Sequence, residues 1–586
     1  MNLKQNIQKA MLMFQQNNLS EAKKILLNLG KKFPSDPNVF GNLALVYLRE
    51  NNFIHSIDMF QKSLKIDPYN YGVLKNYINF LQQSKNWVTF LSLYKEYETI
   101  KINNEMSLML NIFYAVALRE TGSIDKALDI YEKLVSTYPD NLDVIISYGY
   151  SLNKVAKYKL AIKIYKKGLR ISRDNLLLNY NIGIAYSNIK EYVKSNEFLF
   201  FASSKKPSDF GIWITMASNY VNLNDIDNAL SCIEKCKKID PSNYLINYQL
   251  AYINSHTGNR KKSIELIKMV LEQDPKNIEA NFFLGILYLE SEMYTKVMAH
   301  YKYRLTREKN RFGMFDDFNL QELTKFDDLL IAHEQGIGDQ LLFLRLINSL
   351  DPKVKSITYI TEPRLEKIIK KEYKNINVIN EEEYIDNKIK YEKFKKINLA
   401  SIINYIDVKK SLSNLNINLV ERKYSKNKIK IGISWKSNAI KDGIQKSMKL
   451  DDLVDILKIE NYEIINLQYG EIEDEVKKFE EKYGIKINYD KNIDYSNDFE
   501  KLSELINDCD EIITTSNFTV HLAGTLLKET NLLLPKIVGR KWYWCDEEKY
   551  SKWYPSVKKY IQEKDGVWDE PIKELAKDLK NKFKTN

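Results

Sequence analysis

The sequence predicts an α-helical repeat array followed by an α/β domain. Its 586 residues, 44% of them hydrophobic, exceed what one hydrophobic core supports, so two or more domains are expected. Small residues recur every 34 positions through the first half. Past Asn310 this period ends, and short apolar runs alternate with helical segments instead, which is typical of parallel βαβ units.

The 34-residue period has three parts that fit a pair of packed helices. A small residue lets two antiparallel helices cross closely, a larger residue fills the gap beside it, and a proline ends the second helix. The small residues of the second helix are Ala127, Ala161, Ser195, Ala229 and Ser263. The small residues of the first helix include Gly149, Gly183 and Gly285, and the larger residues include Tyr131, Tyr165 and Leu199.

This pattern resembles the tetratricopeptide repeat. It covers residues 3–309 with nine units, of which the third is degenerate and contains three extra residues. One unit cannot bury its apolar face alone, so the units are expected to stack into a solenoid with a groove lined by the first helices. Residues 310–327 are interpreted as a linker.

Side-chain amides recur in this expected groove, two residues before the small position of the first helix. Amides donate and accept hydrogen bonds, so a row of them can hold the backbone of an extended protein acceptor. The row includes Asn42, Asn76, Asn181 and Gln249, and it resembles the asparagine ladder of O-GlcNAc transferases. The alternative is that abundant Asn and Gln simply fill a solvated groove. The acceptor-groove candidates are Asn42, Asn76, Asn181 and Gln249.

The second half is predicted to form two Rossmann-like lobes, residues 328–415 and 428–586. Five segments read as strands that lead into turns or helices. They are DDLLIA, VKSITYIT, IKIGISW, YEIINLQ and DEIITTS. An irregular charged stretch, 408–428, is expected to separate the two lobes.

The first candidate motif is a glycine-containing turn that follows the first strand. Here Gly336 and Gly338 allow a ligand to approach backbone N–H groups at a helix N-terminus. Asp339 is either a general base or a residue that favours the helix start. His333 is the second candidate for a catalytic role. The spacing is not GxGxxG, so a dinucleotide site is not indicated.

The second candidate motif, residues 514–524, runs from a strand directly into a helix. Ser516, Asn517, Thr519 and His521 cluster at that helix N-terminus, where a diphosphate meets free N–H groups and the positive end of the helix dipole. The alternative for His521 is a purely structural role.

A third group of candidates follows two other strands. Lys436 and Lys446 can neutralise a leaving diphosphate, or they are solvated surface lysines. Gln468 either contacts the base or ribose of a nucleotide or fills a turn.

Together these segments resemble heptosyltransferases and O-GlcNAc transferases, which are glycosyltransferases of the GT-B fold. The matching segments include HEQGIGDQLLFLRLI, IGISWKSN, INLQYG, DEIITTSNFTVHLAG and KWYWCDEEKYSKWYPSVKKY. The resemblance implies a GT-B fold, Asp339 as the base, the two lysines beside the donor phosphates, and residues 516–521 as the diphosphate-binding turn. Many relatives have Asp-Thr where this chain has Ser516-Asn517.

The leading hypothesis is a metal-independent glycosyltransferase that moves a sugar from a nucleotide diphosphate to a hydroxyl. No cofactor is expected beyond the nucleotide sugar, which is a co-substrate. No Asp-x-Asp pair lies in a loop suited to a metal, and the expected acceptor is a protein such as flagellin or another surface protein. The alternative is a non-catalytic scaffold with a degenerate transferase-like domain.

The composition argues against several other classes of protein. Acidic and basic residues are mixed (77 and 88), so a nucleic-acid partner is not indicated. Four cysteines are too few for a disulfide framework, and no apolar run reaches the roughly 20 residues that span a bilayer. With no signal-peptide pattern at the N-terminus, we expect a cytoplasmic protein.

Overall fold

The computed structural model describes residues 2–307, 322–415, 428–438 and 443–584. The chain starts with a helical solenoid of the tetratricopeptide type and continues with an α/β region that contains parallel sheets. It divides into two compact units between Ile239 and Asp240. The last two helix pairs therefore belong to the same unit as the α/β region. Most of the predicted linker, residues 310–321, lies outside the described residues.

Nine helix pairs lie between Leu3 and Tyr301, which agrees with the number of units that the period predicts. The pairs are α1 (Leu3–Gln15) and α2 (Leu19–Lys32), α3 (Pro37–Arg49) and α4 (Phe53–Ile66), α5 (Tyr71–Gln83) and α6 (Trp87–Glu98), α7 (Asn104–Glu120) and α8 (Ile124–Thr137), α9 (Leu142–Lys154) and α10 (Tyr158–Ile171), α11 (Leu176–Asn188) and α12 (Tyr192–Lys205), α13 (Phe210–Asn222) and α14 (Ile226–Ile239), α15 (Tyr244–His256) and α16 (Arg260–Gln273), and α17 (Ile278–Glu290) and α18 (Tyr294–Tyr301). A short helix, α19 (Arg304–Arg307), follows.

The glycines of the first helices have the role that the period predicts. A Cβ atom on Gly149 would lie 2.3 Å from the Tyr165 ring, and one on Gly183 would lie 2.6 Å from Leu199 Cγ. Both partners belong to the predicted larger positions. The hydroxyl of Ser195 also donates to the Gly183 carbonyl at 2.7 Å, so a small polar residue links the two helices. The close helix crossings are therefore confirmed at these positions.

The turn inside every repeat needs a left-handed residue, which the sequence did not indicate. A residue with φ between 52° and 91° occurs in all nine turns, although glycine is present in only two of them. Asparagine, which tolerates this conformation, is present in three turns. These residues are Asn17, Asn51, Lys85, Gly122, Ala156, Lys190, Asn224, Gly258 and Glu292.

Ala156→Gly is expected to stabilise the first unit by about 0.5–1 kcal/mol, because alanine at φ 58° carries strain that glycine lacks. Urea unfolding followed by circular dichroism measures this difference. Lys163→Gly in the exposed face of α10 is the control and should destabilise the unit by about 1 kcal/mol. Equal destabilisation by both changes would contradict strain at Ala156.

The first sheet has four parallel strands in the order β3-β2-β1-β4. Its strands are β1 (Asp328–Ala332), β2 (Ser356–Thr361), β3 (Asn377–Asn380) and β4 (Lys395–Asn398), and its helices are α20 (Ile337–Leu344), α21 (Glu366–Glu372), α22 (Glu381–Asp386) and α23 (Val408–Ser413). The stretch from Val408 was expected to be irregular, but it begins with α23, whose N-terminus is capped by Asp407. Residues 416–427 lie outside the described residues.

The second sheet has six parallel strands in the order β10-β9-β8-β5-β6-β7. Its strands are β5 (Ile429–Ser434), β6 (Tyr462–Asn466), β7 (Ile487–Asn488), β8 (Glu511–Thr515), β9 (Thr530–Leu534) and β10 (Val557–Ile561). Its helices are α24 (Gly443–Lys446), α25 (Val454–Leu457), α26 (Glu473–Tyr483), α27 (Phe499–Asp508), α28 (Phe518–Thr525) and α29 (Asp569–Lys584). All five strands expected from the sequence are present, as β1, β2, β5, β6 and β8.

One hydrophobic core joins the last two repeats to both sheets. It runs from Leu284 and Tyr301 in the last repeat through Phe343 in α20 to Trp542 and Trp553 in the second lobe. Such a shared core makes the end of the repeat array part of the α/β unit. In the described ranges no helix is both long enough and apolar enough to cross a bilayer.

Candidate functional site

The candidate site lies where the strand order of the second sheet reverses. β5 and β8 are neighbours, and the chain proceeds from them toward opposite edges of the sheet. In open parallel sheets, ligands bind at the carboxyl ends of such strands because the flanking connections diverge and leave a crevice. The second and third candidate motifs both begin at this point.

Asn517 caps α28 and joins it to the end of β5. Its Oδ1 accepts from the backbone N–H of Thr519 at 3.0 Å and from the Thr514 hydroxyl at 3.1 Å. Its Nδ2 donates to Ser434 Oγ at 2.7 Å and to the Lys436 carbonyl at 3.0 Å. All polar atoms of the side chain are therefore engaged within the protein. The hydroxyl of Thr519 is buried and has no hydrogen-bond partner among the described residues.

Gln468 and Ser516 are also used inside the protein. Gln468 Oε1 accepts from the backbone N–H groups of Trp435 at 2.9 Å and Lys436 at 2.7 Å, and its Nε2 donates to the carbonyl of Tyr469 at 2.9 Å. Ser516 Oγ accepts from the Trp544 indole at 3.0 Å. These contacts order the loop after β5 and the start of α28.

His521 is buried in an aromatic cage and is neutral. Its two ring nitrogens lie 3.1 Å from the Tyr554 hydroxyl and 3.3 Å from the Tyr543 hydroxyl. Burial, together with the positive charges of Lys446 and Lys541, lowers the pKa of His521 to about 3. At neutral pH the imidazole is therefore uncharged, and the two ammonium groups lie near it.

The glycine turn of the first lobe meets this cage. A Cβ atom on Gly338 would lie 2.6 Å from Cδ2 of His521, so only glycine permits this approach. Asp339 follows in the first turn of α20, and its charge contributes to the raised pKa of Tyr554, whose main cause is burial. Arg345 of α20 donates to the Gly524 carbonyl of α28 at 3.3 Å. The structure thus brings Gly338, Asp339 and His521 together.

His333 and Gly336 have separate surroundings. His333 Nε2 lies 2.8 Å from Oε1 of Glu381, at the start of α22, and the His333 side chain is buried. Gly336 precedes α20 as its N-cap and is exposed. The Glu381 carboxylate at the carboxyl edge of the first sheet can orient the His333 imidazole.

A cleft with a volume of about 600 Å³ opens beside the end of β5. Lys436 lines it and forms an ion pair with Glu475, and Trp568 and Asp569 also line it. Lys446 is buried, and its carbonyl accepts a hydrogen bond from the Thr515 hydroxyl, which holds α24 over β8. Among the described residues no group of three or more His, Cys, Asp or Glu side chains is arranged to hold a metal ion.

The amide row lies on first helices, as the repeat period predicts. Asn42 is on α3, Asn76 on α5, Asn181 on α11 and Gln249 on α15. Asn76 is exposed and the other three are partly exposed. Their use as an acceptor groove stays a prediction.

Tyr543, Tyr554 and Lys541 were not among the site residues predicted from the sequence. Their segment was recognised as similar to the transferases, but its contact with His521 needs the fold. The only signal in the sequence was the concentration of aromatic residues between Trp542 and Tyr554.

Acidification is expected to destabilise the second unit through His521. The folded-state pKa is about 3, below the ordinary histidine value of 6.5, so the unfolded chain binds a proton first as the pH falls. This contribution to stability is complete above the unfolded-state pKa and is lost between about pH 6.5 and pH 3, by about 2 kcal/mol between pH 7 and pH 5. Urea unfolding at both pH values measures the loss. His521→Gln should reduce the pH dependence of the unfolding free energy by that amount. His55→Gln, at an exposed histidine, should not change this pH dependence. An unchanged pH dependence in His521→Gln would refute the lowered pKa of His521.

Two family models match parts of the repeat region. One describes ChAPs, the Chs5p-Arf1p-binding proteins, and matches residues 97–279. The other describes a tetratricopeptide repeat and matches residues 37–70.

The comparisons with individual proteins also concern parts of the chain. Protein FlbA of Caulobacter vibrioides is 29% identical over 153 residues, which are 26% of this chain and 25% of that protein. The matches span a quarter or less of the length of the curated relatives.

Solved structures give weak overall similarity. A tetratricopeptide repeat protein from Parabacteroides merdae has 14% identity and a TM-score of 0.31, with 49% of this chain and 98% of that chain covered. The Cut9-Hcn1 hetero-tetramer of the APC/C has 14% identity and a TM-score of 0.36, with 51% and 60% covered. The repeat model and the nine helix pairs show that the N-terminal half of the chain is a helical solenoid of the tetratricopeptide type.

Proposed function

We propose that this chain is a metal-independent glycosyltransferase of the GT-B type, which transfers a sugar from a nucleotide diphosphate to a hydroxyl of a protein. The observation that carries the proposal is the contact between Gly338 of the first lobe and His521 of the second. Through this contact, the glycine turn that follows β1 in the first sheet meets the N-terminal part of α28, which follows β8 where the strand order of the second sheet reverses. These are the places where open α/β sheets bind ligands.

The donor diphosphate would occupy the N-terminus of α28. Lys446 and Lys541 lie close enough to His521 to lower its pKa, so their positive charges would act on a diphosphate bound there. The dipole of α28 adds a further favourable charge. The nucleoside would extend into the cleft lined by Lys436 and Trp568.

Asp339 would remove the proton from the acceptor hydroxyl. It lies in the first turn of α20, directly after the glycine that contacts His521. The acceptor would be a protein such as flagellin or another surface protein, held by the amide row of the repeats. Amides suit this purpose because they bind a peptide backbone without selecting side chains.

Asp339→Asn is expected to lower kcat by about 100-fold and to leave donor affinity unchanged, because the amide keeps the shape but cannot accept the proton. The measurements are release of nucleoside diphosphate from a panel of nucleotide sugars and calorimetric donor binding. Exposed Asp386→Asn is the matched control. Wild-type kcat in Asp339→Asn would remove Asp339 from the mechanism.

The second candidate function is a non-catalytic scaffold. The observation in its favour is that the polar atoms of Asn517 and Gln468 are already engaged inside the protein. The Ser516-Asn517 pair also lacks the carboxylate that many transferases have there. Calorimetry with uridine, guanosine, cytidine and adenosine diphosphates separates the two candidates: binding supports the transferase, and absence of binding by all four supports the scaffold.

A further inference from the structure

The buried side chain of Arg304, just after the last repeat, forms a two-pronged ion pair with the glycine turn. Its Nε donates to Glu334 Oε2 at 2.9 Å, and its Nη2 donates to Glu334 Oε1 at 2.8 Å. The two side chains are 2% and 4% exposed. Nη2 also donates to Ser401 Oγ at 2.8 Å and Nη1 to the Tyr301 carbonyl at 3.1 Å. Guanidinium matches a carboxylate in this fork geometry, which fixes orientation as well as charge.

The neighbouring residue of the turn is held by the same repeat. Gln335 Nε2 donates to the Tyr301 hydroxyl at 2.7 Å. Glu334 also accepts from the backbone N–H of Ala400 at 2.9 Å, next to the end of β4. Glu334 and Gln335 lie between β1 and Gly336, the N-cap of α20, so they set the path of the chain into the candidate site.

Tyr301 is itself rigidly placed. It is 2% exposed, its ring is stacked on Phe282 with the centroids 5.9 Å apart, and its backbone fills the space that a Cβ on Gly285 would need. The Arg304 guanidinium lies 4.9 Å from its ring centroid. The small-residue position of the last repeat therefore determines where Tyr301 and Arg304 stand.

We infer that Arg304 and Tyr301 are positioning residues for the glycine turn, so that the last repeat is a structural part of the site and more than a docking arm. They hold residues 334–336 in the conformation that places Gly338 against His521 and Asp339 at the start of α20. The catalytic consequence rests on the proposed transferase function. The ordering of the turn does not depend on that function.

A purely stabilising ion pair would act differently. Loss of a buried partner would then lower the stability of the whole unit. It would reduce the protection of amides against hydrogen exchange to a similar extent throughout that unit. A positioning pair instead controls one segment whose geometry matters, and small displacements of reacting groups have large effects on rate. The two roles can therefore be distinguished by whether faster hydrogen exchange is confined to the glycine turn or extends over the whole unit.

The variants are Tyr301→Phe, which removes one hydroxyl, and Arg304→Lys, which keeps the charge and loses the fork. The control is Arg260→Lys, because Arg260 forms an ion pair with Glu290 in the same unit, at 3.4 Å and away from the turn. Hydrogen exchange of the full-length protein is measured for the amides of residues 334–340, β1 and β8. Both test variants should raise exchange of residues 334–340 about 10-fold and leave the two strands protected.

The kinetic readout is the division between kcat and donor KM. Both test variants should lower kcat by about 10-fold or more and change donor KM by less than about 2-fold, since the second lobe is intact. The inference is overturned if residues 334–340 exchange no faster in the two test variants than in Arg260→Lys. It is also overturned if exchange rises to the same extent across the whole unit. If the two variants raise exchange at residues 334–340 but the wild-type protein shows neither turnover nor nucleotide binding, the positioning role is upheld and only the proposed function is refuted.

Discussion

Gly285→Val is expected to destabilise the second unit by about 3 kcal/mol or more. A Cβ on Gly285 would lie 2.8 Å from both Cα and the backbone nitrogen of Tyr301. Backbone cannot rotate away, so α17 and α18 would have to separate. At Gly149 the obstacle is the ring of Tyr165, a side chain, so Gly149→Val should cost less.

Tryptophan fluorescence during urea unfolding measures this effect in the right unit. Five of the seven tryptophans lie in the second unit, at positions 435, 542, 544, 553 and 568. Gly72→Val is the control because its Cβ would meet only Asn70 Oδ1, at 3.7 Å. If Gly285→Val unfolds at the wild-type urea concentration, the close crossing of α17 and α18 is wrong.

Asp546→Ala is expected to destabilise the second unit by about 3–5 kcal/mol, because it leaves a buried ammonium without its counter-ion. Lys559 Nζ lies 2.7 Å from Asp546 Oδ1, and the two side chains are 0% and 6% exposed. Burial already lowers the pKa of Lys559, and the Asp546 carboxylate opposes this by stabilising the charged form. Without Asp546 the lysine must lose its proton or draw water into the core.

The double variant Asp546→Leu with Lys559→Met tests the reason for that loss. Replacing both charges by apolar groups of similar volume removes the desolvation cost together with the attraction, so stability should return to within about 1 kcal/mol of wild type. Urea unfolding followed by tryptophan fluorescence compares the single and double variants. A double variant as unstable as Asp546→Ala would show that the cost comes from packing and not from the orphaned charge.

The sequence was informative wherever structure depends on local spacing. Ser195 and Gly183 stand twelve positions apart in one repeat, and the hydrogen bond between them follows from that spacing. The strands β1 and β8 were likewise predictable because each is a short apolar run followed by a turn. The strands β3 and β4 were not anticipated, since four residues with mixed polarity leave no recognisable period.

The motifs were enough to name candidate residues, but they did not predict which side chains surround those residues in the fold. Gln468 was a candidate for nucleotide contact, and the structure shows its amide engaged with Trp435, Lys436 and Tyr469. No role was predicted for Glu334, because carboxylates are common in turns. Its partner Arg304 lies in another element of the fold, and no local pattern connects the two.

The sequence by itself determined the repeat array, the change to an α/β region and the two loops that contain the candidate residues. These features depend on periodicity and on residues adjacent in the chain. Only the tertiary structure decided that Gly338 meets His521, that tyrosines surround this histidine, and that the last repeat holds the glycine turn. The physical reason is that these contacts join segments far apart in sequence, and packing of a common core, not local propensity, brings them together.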